Sequence, residues 1–161
     1  MKKIESFQVN HLILKRGIYV SRKDVVGENT VTTFDIRMKE PNKEPVINTG
    51  ELHAMEHLGA TFLRNHKEYD NLTVYFGPMG CRTGFYVIFK GDLNSTDVVN
   101  IIKEMFDFIL HFEGDIPGAD ARSCGNFLDM NLPMAKYEAA KFYSEILCNL
   151  KEENLIYSNN N

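Results

Sequence analysis

His53-Ala54-Met55-Glu56-His57 places two histidines four residues apart with a glutamate between them. No other stretch constrains the fold of this chain as much. On a helix, residues four apart lie one turn apart on one face, with Cβ atoms roughly 5–6 Å from each other. Both imidazoles then reach one metal ion. Glu56, next to His57, lies within reach of the same face without having to be a ligand. A carboxylate beside a metal can act as a general base. The pattern is H-x-x-E-H, the inverted form of the zincin helix motif. The alternative is a chance match on a solvated helix, a risk that every short motif carries.

The flanks favour a helix from about Thr49 to Asn65. Thr49 or Asn48 can cap its start, with Glu51 and Leu52 in the first turn. Leu52, Met55, Gly59, Phe62 and Leu63 recur at helical spacing as an apolar stripe. His53, His57, Ala60 and Arg64 flank it. A histidine pair at the edge of a core-facing stripe sits where a second element can enclose a metal. His66 and Lys67 fall near the C-terminal end of the helix dipole.

Elsewhere, Phe7–His11, Gly17–Arg22, Val31–Met38, Leu72–Phe76 and Phe85–Phe89 read as strands. Pro41, Asn42 and Pro45 mark a loop before the first helix. A second helix starts at Asn94 or Ser95, carries Val98, Ile102, Met105, Phe106 and Ile109 at helical spacing, and ends by Gly114–Gly118. A third runs from about Asn131 to Leu150, with Pro133 tolerated in its first turn. The elements interleave without a strict strand–helix–strand rhythm. The expected fold is α+β, an antiparallel sheet with helices packed on one face, related in motif to inverzincin-type domains. With 161 residues, 43% of them hydrophobic, no repeat and no linker, residues 1–161 read as a single domain with a polar tail at about 157–161.

Charge and cysteine usage narrow the function. A net charge of −4 leaves no basic footprint for nucleic acid. There is no run of about 18 apolar residues to span a membrane, and the start of the chain lacks the apolar core of a secretory signal. Three widely spaced cysteines suit thiol chemistry in a reducing cytoplasm better than a disulfide framework.

Two histidines leave a catalytic metal site incomplete, because such sites take three protein ligands and keep one position open. The candidates for the third are Cys81, Cys124, Cys148, His11, His66, His111 and the acidic residues. Cys124, in the small-residue stretch Ala121-Arg122-Ser123-Cys124-Gly125-Asn126, is favoured because the backbone there can approach a metal closely; its alternative role is a small buried hydrophobe. Cys148, beside Leu147 and Leu150, reads as an inert core residue. Cys81 ends a turn shaped by Gly77, Pro78, Gly80 and Gly84. Arg82 beside it, or a nearby cation, would favour its thiolate, a base or a nucleophile; the alternative is a turn cysteine with no role.

Several segments together resemble the S-ribosylhomocysteine lyase (LuxS) family. They are Glu5-Ser6-Phe7 with His11, Phe34-Asp35-Ile36-Arg37, Glu40-Pro41-Asn42, Leu52 through Leu58, Pro78 through Tyr86, and Ser123-Cys124-Gly125-Asn126. They stand in the family's order with similar spacing, over residues 5 to about 150. The resemblance implies a homodimeric enzyme with its active sites at the subunit interface. It implies one divalent metal per subunit, natively iron(II), held by His53, His57 and Cys124; zinc or cobalt can occupy such a ligand set. It assigns acid/base roles to Cys81 and Glu56, and substrate contacts to Ser6, His11 and Arg37. The implied reaction cleaves the thioether of S-ribosylhomocysteine to homocysteine and 4,5-dihydroxy-2,3-pentanedione, the precursor of the autoinducer-2 quorum-sensing signal. Enediolate isomerisations move the carbonyl along the sugar until β-elimination can expel sulfur, the metal stabilising developing oxyanion charge.

Two positions depart from the family pattern: Asn10 stands where aspartate is common, and Tyr75 replaces an acidic residue in the strand before the cysteine turn. Both bear on substrate binding and leave the reaction class intact. A competing reading is a zinc metallopeptidase-like hydrolase, with Glu56 activating water and a downstream carboxylate, Glu138 or Glu145, as third ligand. It leaves Cys81 and Cys124 without a task. A closed metal-binding module with four protein ligands is a third reading.

Overall fold

The computed structural model of the chain describes residues 9–158. Its elements follow in the order β1 (Gly17–Val26), β2 (Asn29–Arg37), α1 (Thr49–Asn65), β3 (Thr73–Pro78), β4 (Gly84–Lys90), α2 (Ser95–His111) and α3 (Leu132–Glu145). The strands form one four-stranded sheet in the order β1-β2-β4-β3, with every neighbouring pair antiparallel. This is the expected α+β arrangement.

Strand alternation sorts the side chains of β2. Phe34 and Ile36 are fully buried and face the helices together with Phe85, Val87 and Ile18. Asp35 and Arg37 belong to the other face, Asp35 lying opposite Tyr19 of β1 and Tyr86 of β4. The helices bury Leu52, Met55 and Leu58 of α1, Ile102, Met105 and Phe106 of α2, and Phe142 of α3 against the inner face. Gly59 brings α1 close to the sheet: a Cβ there would run into the ring of Phe76, which stacks on Phe85 with centroids 4.9 Å apart. No helix among the described residues is long and apolar enough to cross a membrane.

α1 has the expected bounds, but Asn48 does not cap it with its side chain; its Nδ2 reaches Glu51 Oε1 instead, at 3.3 Å. At the start of α2 the Asp97 carboxylate accepts the Asn94 backbone N–H at 2.7 Å.

Three expectations need correction. The strand expected over Phe7–His11 is a turn where it is described: the Asn10 side chain accepts from the Leu12 N–H at 3.0 Å and its carbonyl from Ile13 at 3.3 Å. Phe7 and Gln8 lie outside the described residues. α3 ends at Glu145, not Leu150, and passes into a 3₁₀ turn over Leu147–Asn149. The Ser144 hydroxyl bonds the Ala140 carbonyl at 2.8 Å, and Asn149 Nδ2 takes the Ser144 carbonyl at 3.2 Å. These local bonds offer the backbone an alternative to another helical turn. The early stop carries Cys148 out to solvent, while Leu147 takes the buried position.

Candidate active site

α1 supplies His53 and His57, with ring centroids 4.9 Å apart. The segment between α2 and α3 supplies Cys124. The three ligand atoms lie within 4.8 Å of one another, and Cys124 Sγ is 3.3 Å from His53 Nε2. A metal bound at ordinary distances, with a tetrahedral angle between thiolate and imidazole, sets that separation at about 3.5 Å. The imidazoles are already oriented. His53 Nδ1 donates to the Asp129 carbonyl at 2.9 Å and His57 Nδ1 to the Pro117 carbonyl at 2.7 Å. Both Nε2 atoms are therefore left as acceptors, the tautomer that metal binding needs. The Asn126 N–H points at Cys124 Sγ from 3.4 Å. The donor set fits a metal ion, and it is the group that the described residues bring together.

The Cys124 segment is shaped by backbone bonds. The Asp120 carboxylate accepts from Arg122 and Ser123 N–H at 2.8 and 3.1 Å, and its carbonyl accepts from Cys124 at 3.0 Å. Hydrogen bonds from Ser123 and Arg122 hold Asp120 below the usual carboxylate range. The Asn131 N–H closes onto the Gly50 carbonyl at 2.9 Å, tying the far end of the segment to the start of α1. Glu56 is half-buried on α1 between the two histidines. Glu138 and Glu145, the carboxylates a peptidase site would call upon, are taken by Lys39 and Arg16, each at 2.6 Å.

Cys81 sits in the turn joining β3 to β4 and is exposed. Arg82 closes that turn in the left-handed region at φ 60°, with its N–H on the Met79 carbonyl at 2.9 Å. Its carbonyl takes the Ile47 N–H at 3.0 Å. Gly84 lets β4 lie against β2: a Cβ there would meet the Ile36 carbonyl. The cation facing the Cys81 sulfur is Arg37, reaching across from β2, where the sequence suggested Arg82. Arg37 Nη1 donates to Thr83 Oγ1 at 2.5 Å and stands 3.8 Å from Cys81 Sγ. Cys81 Sγ and Thr83 Oγ1 are 3.1 Å apart. Because Thr83 accepts from Arg37, its own proton is free to point at the sulfur.

Arg37 is itself anchored. Its Nη2 pairs with Asp35 Oδ2 at 2.5 Å, and both side chains are almost fully buried. Burial pushes the Asp35 carboxyl up; the charge and hydrogen bond of Arg37, the Tyr157 hydroxyl and the charge of His11 pull it back. That influence puts His11 in the electrostatic neighbourhood of this pair, and its Nδ1 is held by the Val9 carbonyl at 2.8 Å. Ser6 lies outside the described residues. The sequence reading missed Asp35 and Thr83 as site residues. The signal was available: Asp35 and Arg37, two apart on a strand and flanking the apolar Ile36, are opposite charges on one face.

An α+β domain with a three-ligand histidine–cysteine centre on its first helix, and a cysteine held under an arginine at the sheet edge, has the architecture of a metal-binding enzyme. The family model described as S-Ribosylhomocysteinase (LuxS) matches residues 4–153. The S-ribosylhomocysteine lyase of Clostridium beijerinckii is 62% identical over 159 residues, covering 99% of this chain and 100% of that one. Those of Clostridium acetobutylicum and Finegoldia magna are 62% and 60% identical over 157 residues, covering 98% of this chain and 99% of theirs. The chain belongs to the LuxS family.

Proposed function

We propose that this chain is a metal-dependent carbon–sulfur lyase, a single catalytic domain that cleaves S-ribosylhomocysteine to homocysteine and 4,5-dihydroxy-2,3-pentanedione, the autoinducer-2 precursor. The observation that carries the reading is the His53–His57–Cys124 group, with ligand atoms within 4.8 Å of one another, in a chain with lyase relatives along nearly its whole length. These residues hold the metal, iron(II) in this proposal, with zinc or cobalt able to replace it. Bound there, the ion supplies Lewis-acid stabilisation of oxyanion charge on the substrate.

The protein's own groups do the rest. The thioether of the substrate resists direct hydrolysis. Two isomerisations through enediolates carry the sugar carbonyl to the carbon from which β-elimination expels the homocysteine thiolate. Each shift removes a proton from one carbon and returns one to the next. Cys81, with Arg37 and the Thr83 hydroxyl facing its sulfur, is one proton carrier; Glu56, on the helix of the histidines, is the other. Ser6, His11 and Arg37 orient the substrate.

The outer face of the sheet supports a homodimer with active sites at its interface. Val26 and Tyr75 are exposed there at 62 and 45%. Together with Tyr86 and Ile88 they line a groove of about 810 Å³. This apolar face is continuous with the strand face that bears Asp35 and Arg37. Three free cysteines and the lack of a membrane-crossing helix among the described residues fit a cytoplasmic enzyme.

The test is thiol release. Anaerobically purified, iron-loaded protein is given S-ribosylhomocysteine, and free homocysteine is followed with a thiol reagent beside a Cys81→Ala control. Release by the parent and not by the control supports the lyase. No release, with one metal ion bound per chain, removes it.

A further inference from the structure

The chain after α3 does not stop at the helical layer. It passes the open edge of the sheet at β1 and brings Tyr157 onto the opposite face. Asn154 is buried, and its Nδ2 bonds the Arg16 carbonyl at 2.8 Å. The Tyr19 hydroxyl takes the Glu153 carbonyl at 2.9 Å. Beyond these anchors the Tyr157 ring lies flat on Tyr19, with centroids 4.6 Å apart and 13° between planes. Its hydroxyl donates to Asp35 Oδ2 at 2.8 Å, the same oxygen that receives Arg37 Nη2.

A continuous chain of contacts therefore runs from the segment after α3 to the Cys81 thiol. Tyr157 donates to Asp35, Asp35 grips Arg37, and Arg37 spans Thr83 and the Cys81 sulfur. Arg37 Nε and Asp35 Oδ1 have no partner among the described residues although both are buried. The pair is thus joined through Asp35 Oδ2, the oxygen that Tyr157 also engages, while Thr83 holds the guanidinium at its other terminal nitrogen, Nη1, and the orientation of Arg37 depends on both.

We propose that Tyr157 is a positioning residue: acting through Asp35, it fixes the Arg37 guanidinium on Cys81 and so sets the reactivity of that thiol. The proposal rests on the lyase reading only for the task Cys81 performs. Tyr157 touches none of the reacting atoms in it. Groups facing Asp35 are Arg37 on its own strand, Tyr19 on β1, Tyr86 on β4, His11 in the N-terminal turn and Tyr157 itself. Arg37 feels Asp35, Cys81 and Tyr157. Glu153 and Glu40 act on the same cluster through Tyr19.

The test separates positioning from mere charge. Metal-loaded parent, Tyr157→Phe and Asp35→Asn proteins are alkylated with iodoacetamide across a pH range. The modification of Cys81 is read by peptide mass spectrometry, which resolves it from exposed Cys148. Phenylalanine keeps the ring stacked on Tyr19, so the fold is retained. If Asp35 acted only as a nearby negative charge, its neutralisation would make Cys81 more acidic and its alkylation at neutral pH faster. Positioning demands the opposite, because an unanchored Arg37 no longer attends the thiolate. Expected is roughly a tenfold slower reaction at neutral pH in Asp35→Asn, equivalent to one pKa unit. A milder loss, about threefold, is expected in Tyr157→Phe, which removes one neutral donor. An unchanged or accelerated Cys81 profile in folded Tyr157→Phe overturns the proposal, whether or not Asp35→Asn folds. Failure of the parent to release homocysteine would remove the lyase reading and leave this comparison intact.

Discussion

Replacing Cys124 with alanine takes away the cysteine sulfur that the described residues bring to the α1 histidines. Metal content measured by plasma mass spectrometry should fall to near zero, with Glu138→Gln and Glu145→Gln unaffected because those carboxylates hold Lys39 and Arg16. Metal retained by Cys124→Ala and lost from Glu138→Gln would restore the peptidase reading. Cys81→Ala and Glu56→Gln should keep the metal, and kcat should drop by about 10²-fold or more, the size of a general acid–base contribution. Normal turnover in either would strip that residue of its proton-transfer role. The histidine pair was legible in the sequence because four-residue spacing has a simple geometric meaning. Arg37 over Cys81 was not, because residues 44 positions apart meet only when β2 and β4 pair.

Elements were legible where a period is repeated several times. α1 and α2 carry apolar stripes over 17 residues each, and their bounds follow from the pattern. The end of α3 was not legible, because the stop at Glu145 comes from side-chain bonds of Ser144 and Asn149 that compete locally with the helix. The segment after it makes a pH prediction. Burial, and then the charge of Asp35, push the Tyr19 and Tyr157 hydroxyls well above the ordinary tyrosine value of 10.0. In the unfolded chain they titrate near that value, so from about pH 10 upward the unfolded state binds fewer protons than the folded one. Stability is unaffected below that pH and falls as pH rises above it. Urea midpoints should decline steeply there, and more gently in Tyr157→Phe; equal slopes would contradict the burial of that hydroxyl. On the inner face of β4, Phe85→Ala removes the ring stacked on Phe76 and should cost about 3–5 kcal/mol in urea unfolding.

At the scale of the whole molecule, the sheet has one face under helices and another that Tyr157 covers at Tyr19 and Asp35 and that is open to solvent around Val26 and Tyr75. Tyr75→Lys combined with Ile88→Lys puts two like charges on that open face without touching the core. If the proposed homodimer uses this face, sedimentation should show the parent as a dimer and the variant as a monomer with its metal retained and its activity lost; a variant that stays dimeric would place the subunit contact elsewhere. Composition gave no hint of this surface, since strand alternation reveals which residues share a face and not whether the face is covered. The metal centre also has an unequal construction: two ligands stand on a packed helix and the third on an irregular segment between Phe112 and Asn131. Binding energy available only to the assembled form holds that segment down in proportion to metal supply. A cell short of the metal would therefore hold copies whose sheet and helices are sound but whose 112–131 segment opens readily, and a protease would cut there first. The lifetime of the protein would then follow the supply of that metal in the cell, with no dedicated sensor required.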